Sequence, residues 1–250
     1  MMHAQDESGV ACSVYDIRVV RLLIVYCFVA FSSFFASCPV IHALQSQPLN
    51  SLNSLTLAQT TQPVIVVENL HQALINIMKN ADLLGWQGRY DQLQAVLRQA
   101  YDFSGMTRIA AGSHWKAFTE LQKANMIEAF CRLSIATYAS RFKDYRGERF
   151  ETIKVEELPQ TSPSVIVRTK LITTDDRGVE LSYRLRIVKG VWKIVDVFYR
   201  GTISELANKR AQYLTVLNQS GYEKLLQRMH EKIKQLSILE GDLEAGNDVP

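Results

Sequence analysis

The strongest constraint on the fold is a change of hydrophobic period at Gly147. Before this glycine, apolar residues recur at the spacing of amphipathic helices, and after it they alternate with polar residues. Alternation that is rich in β-branched and aromatic residues indicates antiparallel strands with one apolar face. The sequence therefore predicts a four-stranded meander, with strands at about residues 148–158, 164–174, 179–189 and 191–199.

Helices are predicted on both sides of this sheet. Before it, Pro63 opens the first helix and Asp102 caps a short one. Thr119 and Gln122 form a capping box, and a second capping box begins at Thr202. This order predicts an α+β domain of N-terminal helices, a four-stranded antiparallel sheet and C-terminal helices. The predicted helices cover residues 63–79, 87–100, 103–111, 120–142, 203–220 and 222–236.

Two short turns separate neighbouring strands of the predicted meander. The sequence DDRG at 175–178 and the pair Lys189–Gly190 contain the residues that tight hairpin turns need. Asp175 and Asp176 also form an acidic pair, which resembles the paired carboxylates of some hydrolases. Turn chemistry explains this pair better, because Asp is common where the chain reverses.

The N-terminal residues carry the features of a secretory signal peptide. Arg18 and Arg21 precede an apolar run of fifteen residues, 22–36, which is shorter than a membrane-spanning helix requires. We predict cleavage after Ala43, with an uncleaved anchor as the alternative. The predicted organisation is a signal peptide at 1–43, a flexible linker at 44–62, one α+β domain at 63–240 and a polar tail at 241–250.

The cysteines indicate a domain without an internal disulfide. Cys12, Cys27 and Cys38 lie in the predicted signal peptide, and Cys131 is the single cysteine of the predicted domain. A lone cysteine in a helix is most often a small buried hydrophobe. The stability of the domain must therefore come from its hydrophobic core.

Charge and motifs argue against several classes of function. A formal net charge of +3, without a block of like charges, does not favour nucleic-acid binding. The predicted exported part has no nucleotide-binding, hydrolase or metal-site motif. Its histidines, His71, His114 and His230, lack the spacing of metal ligands. We predict no cofactor, no metal and no catalytic residue.

Many aromatic residues fall on predicted elements that should face one another. One interpretation is an ordinary core, which these side chains fill. The other is a cavity between the sheet and the helices that holds an apolar ligand. Burial of about 0.8 kcal/mol per methylene would suffice to bind a lipid chain there. The aromatic residues concerned are Tyr138, Phe142, Tyr183, Trp192, Phe198, Tyr199 and Tyr213.

Two charged residues lie on faces that are predicted to be buried. Asp196 alternates in step with Ile194 and Phe198 along the last strand. Arg210 falls in the apolar sector of the following helix. A buried charge is costly unless it is paired, so one hypothesis is an Asp196–Arg210 ion pair. The other places Arg210 at the mouth of a cavity, where it meets a lipid phosphate.

Three long segments of the chain resemble the MlaC-type family of periplasmic lipid carriers, also called toluene-tolerance auxiliary proteins. The segments are YDFSGMTRIAAGSHW, IATYASRFKDYRGERFE and WKIVDVFYRGTISELANKRAQY. The resemblance extends over residues 65–238, in the same order. Shorter stretches are similar to the hopanoid-biosynthesis-associated HpnM branch, namely LGWQGRYDQL at 84–93, SIATYASRF at 134–142 and GTISELA at 201–207.

The resemblance implies a periplasmic protein, not an enzyme, that carries one lipid at a time. It implies transfer between an inner-membrane ABC transporter with an MCE-type subunit and an outer-membrane partner. A shuttle that docks at two membranes is more naturally a monomer. Two cargo classes stay open, a phospholipid and a hopanoid. The implied pocket lies between the sheet and the helical layer. Its candidate lipid-binding residues are Tyr138, Phe142, Val167, Leu171, Leu181, Tyr183, Leu185, Trp192, Phe198, Arg210 and Tyr213.

Two other functions are compatible with the sequence. The first is a cone-shaped α+β enzyme of the isomerase or dehydratase kind, in which Asp196 acts as a general base on a hydrophobic substrate. The second is a structural adaptor whose side chains fill the core and leave no cavity.

Overall fold

The computed structural model describes residues 62–159, 163–174 and 178–245. The predictions for the signal peptide, for its cleavage and for nearly all of the linker at 44–62 lie outside these residues. The centre of the turn at 175–178 and the last five residues also lie outside them.

The described chain contains five α-helices and five strands. In chain order they are α1 (Pro63–Lys79), α2 (Ala81–Ala100), α3 (Phe103–Ala111), a 3-10 helix (Gly112–Ala117), α4 (Glu120–Arg141), β1 (Arg149–Glu157), β2 (Ser164–Ile172), β3 (Gly178–Val188), β4 (Val191–Tyr199), β5 (Ile203–Ser204) and α5 (Glu205–Ala245).

The predicted caps at the starts of α3 and α4 are confirmed. The Asp102 carboxylate accepts a hydrogen bond from the backbone N–H of Gly105 at 3.0 Å. Thr119 and Gln122 satisfy each other's free N–H groups at 3.1 and 3.0 Å, as a capping box requires. These local bonds explain why both helix starts could be read from the sequence.

Two glycines interrupt long helical segments. α2 begins six residues before its predicted start at Gln87, and Gly85 breaks its first turns with a φ of 55°. Gly221 divides α5 with a φ of 78°, at the predicted end of a helix. Residues other than glycine rarely adopt this left-handed region, so each glycine permits a sharp change of helix direction.

The sheet is antiparallel throughout, with the strand order β1-β2-β3-β4-β5. The first four strands begin and end within two residues of their predicted bounds. Lys189 and Gly190 both have positive φ values, 50° and 83°, which match the hairpin turn predicted between β3 and β4.

The short strand β5 was not predicted. The sequence pattern had placed the helix cap at Thr202, but the Ser204 hydroxyl accepts a hydrogen bond from the backbone N–H of Ala207 at 2.9 Å. The cap therefore lies two residues later than predicted. The freed residues, Ile203 and Ser204, pair with the end of β4 instead.

The core lies between one face of the sheet and the helices. α1 contacts β1, β2 and β4, and β4 also contacts α2, α3 and α5. Val167, Leu185 and Ile194, in the middle of the sheet, are fully buried by this layer. Cys131 is a buried free cysteine, as predicted, and burial raises the pKa of its thiol to about 11. Within residues 62–245, no helix that the structure describes is long and apolar enough to cross a membrane.

Candidate functional site

A continuous chain of aromatic side chains runs through the core from the sheet into the helical layer. Consecutive rings lie 3.8 to 6.5 Å apart between centroids, which is contact distance for aromatic pairs. We call this chain the aromatic line. It consists, in order, of Tyr183, His71, Phe150, Phe142, Tyr138, Tyr101, Phe103, Phe130 and Tyr213.

At the sheet end of the aromatic line, His71 connects α1 to two strands. Its Nε2 atom and the Tyr183 hydroxyl are hydrogen bonded at 3.0 Å, and its ring stacks on Phe150 with centroids 3.8 Å apart. His71 is only 5% exposed, and burial lowers the pKa of its imidazole to about 3. The ring is therefore neutral at pH 7, and it acts here as a polar packing group.

In the middle of the aromatic line, two tyrosines join α4 to the junction between α2 and α3. The hydroxyl oxygens of Tyr101 and Tyr138 lie 2.5 Å apart. Burial raises the pKa of both hydroxyls, so both are protonated at neutral pH. The junction is also attached to β4, because the Asp102 N–H donates to the Ile194 carbonyl at 2.9 Å.

At the far end of the aromatic line, Tyr213 of α5 packs edge-on against Phe130 of α4, with centroids 6.0 Å apart. Tyr213 is 5% exposed. Among the residues that the structure describes, its hydroxyl has no hydrogen-bond partner. Burial raises the pKa of this hydroxyl far above its usual value, so it is protonated at any physiological pH.

A groove of about 300 Å³ opens beside Tyr101. One wall comes from the end of α2 and the start of α3, and the other comes from the β3–β4 hairpin. The groove therefore lies where the helical layer meets one end of the sheet. Its lining residues are Arg98, Tyr101, Asp102, Phe103, Ser104, Val188 and Lys193.

Eight of the eleven predicted pocket residues lie in the hydrophobic core cluster of the described residues or pack against it. Four of them, Val167, Tyr183, Leu185 and Tyr213, are buried in it. Leu171, Phe198 and Arg210 are not part of this cluster. The others pack against it and are partly buried, namely Tyr138, Phe142, Leu181 and Trp192.

A β-bulge in β4 separates residues that were predicted to share a face. Leu185 pairs with Ile194, whereas the preceding Arg184 pairs with Asp196, so Val195 is an extra residue. The extra residue reverses the alternation beyond it. The prediction that Asp196 and Phe198 share a face with Ile194 is therefore wrong, and Val197 takes the core-facing position instead.

Asp196 connects the end of β4 to the start of α5 by hydrogen bonds. Its Oδ1 atom accepts hydrogen bonds from the N–H groups of Val197 at 2.8 Å and Leu206 at 3.1 Å. Its Oδ2 atom accepts from the Ser204 hydroxyl at 2.7 Å. Both carboxylate oxygens thus serve local backbone and hydroxyl donors, and the predicted ion pair with Arg210 is wrong.

Arg210 is exposed rather than buried in the apolar sector of its helix. Its Nη1 atom donates to the Ile109 carbonyl at 2.5 Å. This carbonyl is in the last turn of α3, where a cation is favourable, and it also accepts a hydrogen bond from the backbone N–H of Gly112. Arg210 therefore connects α5 to the end of α3. A contact between Arg210 and a lipid phosphate stays a prediction.

Replacing Asp196 with alanine is expected to lower the free energy of unfolding by about 2 kcal/mol, because the N–H groups of Val197 and Leu206 and the Ser204 hydroxyl lose their acceptor. Asp196→Asn keeps one acceptor oxygen and should cost less. Urea unfolding at pH 7 measures both effects. Asp144→Ala removes an exposed carboxylate and serves as the control, with an expected change below about 0.5 kcal/mol. Equal losses of unfolding free energy for Asp196→Ala and Asp144→Ala would contradict this structural role of Asp196.

The predicted pocket residues lack five members of the aromatic line, namely His71, Tyr101, Phe103, Phe130 and Phe150. His71 follows Val67 by four positions and precedes Leu74 by three, so it lies within the apolar stripe of α1. A polar residue inside such a stripe is a signal that could have identified it. Tyr101 lies between two helices, where no periodic pattern exists to indicate its orientation.

Comparison with known proteins agrees with this architecture. A family model described as MlaC protein matches residues 68–231. No curated protein sequence matches the chain. A phospholipid-binding protein from Ralstonia solanacearum, solved in complex with a phospholipid, superimposes on the chain with a TM-score of 0.59. The two are 21% identical, and the match covers 69% of this chain and 94% of that one.

At this identity, the structural match establishes a shared fold. The family match is independent of it and covers more than half of the 250 residues, including every member of the aromatic line. The resemblance noted in the sequence is therefore confirmed at the level of the family, and the chain belongs to the MlaC protein family.

Proposed function

We propose that this protein is a lipid carrier that holds one lipid molecule between its sheet and its helical layer by reversible, non-covalent binding. The aromatic line carries this proposal. It extends from the sheet into the helical layer as a long and largely apolar surface, and its hydroxyl and imidazole groups are neutral at pH 7. The phospholipid bound by the similar Ralstonia solanacearum protein supports the same class of ligand.

Burial of apolar surface supplies enough free energy for such binding. Each buried methylene contributes about 0.8 kcal/mol, so an acyl chain of a dozen carbons contributes roughly 10 kcal/mol. Ordering the lipid and separating the packed layers reduce this sum. The remaining free energy does not require a charged side chain that binds the phosphate.

The groove beside Tyr101 is the proposed entrance. Its volume of about 300 Å³ lies at the lower end of the 300–1,000 Å³ range that is typical of ligand pockets, so a two-chain lipid needs more room. That room would come from moving the β3–β4 hairpin away from the α2–α3 junction. The backbone bond from Asp102 to Ile194 would then break, and so would the contact of Lys193 with the Gln99 carbonyl.

We further propose that the carrier works in the periplasm after removal of the predicted signal peptide, 1–43. It would receive lipid from, or deliver lipid to, an inner-membrane ABC transporter with an MCE-type subunit, and exchange it with an outer-membrane partner. The cargo would be a phospholipid or a hopanoid. The stretches at 84–93, 134–142 and 201–207 support the hopanoid alternative through their similarity to the HpnM branch.

The geometry favours a binding protein over the enzyme with Asp196 as its base. Both oxygens of Asp196 accept hydrogen bonds from nearby donors, and the bulge turns this residue to the sheet face opposite Ile194. A general base must instead reach a proton of the substrate. We therefore propose a carrier without catalytic activity.

Native mass spectrometry tests the proposed function. The full chain would be expressed in a bacterium that makes both phospholipids and hopanoids, and purified without detergent. We expect a stoichiometric adduct of one lipid molecule, whose class follows from organic extraction. Tyr145→Ala, which truncates an exposed side chain outside the core, should retain the adduct. A mass without any adduct that persists after incubation with both lipid classes would contradict the proposal.

A further inference from the structure

The hydroxyl groups of the aromatic line are not equivalent. Tyr183 is hydrogen bonded to His71, and Tyr101 is hydrogen bonded to Tyr138. Within the part of the chain that the structure describes, the Tyr213 hydroxyl is the one member without a partner. All of these hydroxyls are protonated at neutral pH, so Tyr213 offers a hydrogen-bond donor to the core interior.

An unpartnered donor in this position is unfavourable for the protein alone. A buried polar group without a hydrogen bond costs about 1–3 kcal/mol, and phenylalanine would fill the same space without that cost. An acceptor atom on a bound molecule would remove the cost. A ligand that carries an acceptor at this point should therefore bind more tightly than a ligand that lacks one.

The position of Tyr213 on α5 indicates which acceptor fits. Arg210 precedes it by three residues, so the two side chains leave neighbouring points of the helix, about 4.5 Å apart along its axis. Tyr213 is buried at the apolar end of this pair and Arg210 is exposed at the polar end. A glycerolipid has the same order of groups, because its ester carbonyls lie between the acyl chains and the phosphate.

We propose that the Tyr213 hydroxyl donates a hydrogen bond to an ester carbonyl of the bound lipid and so selects ester-linked glycerolipids over lipids that lack this oxygen. The inference rests on the proposed carrier function and names the chemical class of its cargo. Tyr213 acts here as a specificity-determining residue, while the apolar surface around it supplies most of the affinity.

The test compares two lipids that differ only in the carbonyl oxygens, dipalmitoyl phosphatidylcholine and its ether-linked dihexadecyl analogue. Both compete for the full-length protein, and native mass spectrometry gives the ratio of bound lipids. We expect the wild type to prefer the ester lipid by about five- to tenfold, which corresponds to one net hydrogen bond. Tyr213→Phe should bind both lipids about equally. Tyr145→Phe, at a residue 38% exposed, should keep the wild-type preference.

A second measurement needs no variant. The ester lipid labelled with ¹³C at its carbonyls is bound to the wild type, and infrared spectroscopy should show a carbonyl band shifted to lower frequency by hydrogen bonding. Absence of this band, equal binding of both lipids by the wild type, or an unchanged preference in Tyr213→Phe would overturn the inference and leave the carrier function standing. If neither lipid binds to the wild type, the proposed function and this inference fail together.

Discussion

Lowering the pH from 7 to 4 is expected to reduce the free energy of unfolding by about 3 kcal/mol through His71 alone. Its folded-state pKa is about 3, against an ordinary value of 6.5, because burial disfavours the charged ring. Below pH 6.5 the unfolded chain takes up a proton that the folded chain does not bind. The contribution of His71 to the free energy of unfolding is therefore fully present above pH 6.5. It falls by about 1.4 kcal/mol per pH unit between pH 6.5 and pH 3.

Urea unfolding of the wild type and His71→Gln between pH 7 and pH 4 measures this contribution. Glutamine does not titrate and can still form a hydrogen bond with Tyr183, so the variant should lose about 3 kcal/mol less over the same pH range. His230→Gln removes an exposed histidine and should follow the wild type. Parallel pH dependences of the wild type and His71→Gln would show that His71 is not buried in its neutral form.

Truncating Tyr183 to alanine is expected to destabilise the fold by about 3–5 kcal/mol. The side chain is 1% exposed at the centre of the sheet, so its loss leaves a cavity that the packed neighbours cannot fill. The deletion also removes the hydrogen-bond partner of His71. Tyr183→Phe keeps the ring and should cost only about 1–2 kcal/mol.

Equilibrium unfolding in urea, with the denaturant dependence checked for two-state behaviour, separates these variants. Tyr145→Ala is the matched control, because the same truncation at an exposed ring should change stability by less than about 1 kcal/mol. A loss below about 1.5 kcal/mol in Tyr183→Ala would mean that the aromatic line is loosely packed. The end of the aromatic line at the sheet would then already be accessible to a ligand.

Local features of the sequence determined the elements of this fold. The caps at Asp102 and Thr119 use bonds between residues three apart, and the Lys189–Gly190 turn depends on the conformations of its own two residues. Alternation in β2 and β3 grouped side chains that share a face, and Val167, Tyr183 and Leu185 are buried in the core. At the strand ends the pattern fails, because Leu171 lies outside the core cluster and Ile187 is 46% exposed. The order of helices and strands followed from these local rules.

The tertiary structure decided how these elements meet. The bulge at Val195 arises from pairing with β3, and its single extra residue moved Asp196 and Phe198 to the other face. The hydrogen bonds of the aromatic line join residues far apart in the chain, such as His71 and Tyr183. Arg210 likewise found its partner in a backbone carbonyl of another helix. Periodicity carries information about faces but none about distant partners, so the candidate site appears only when the layers are packed together.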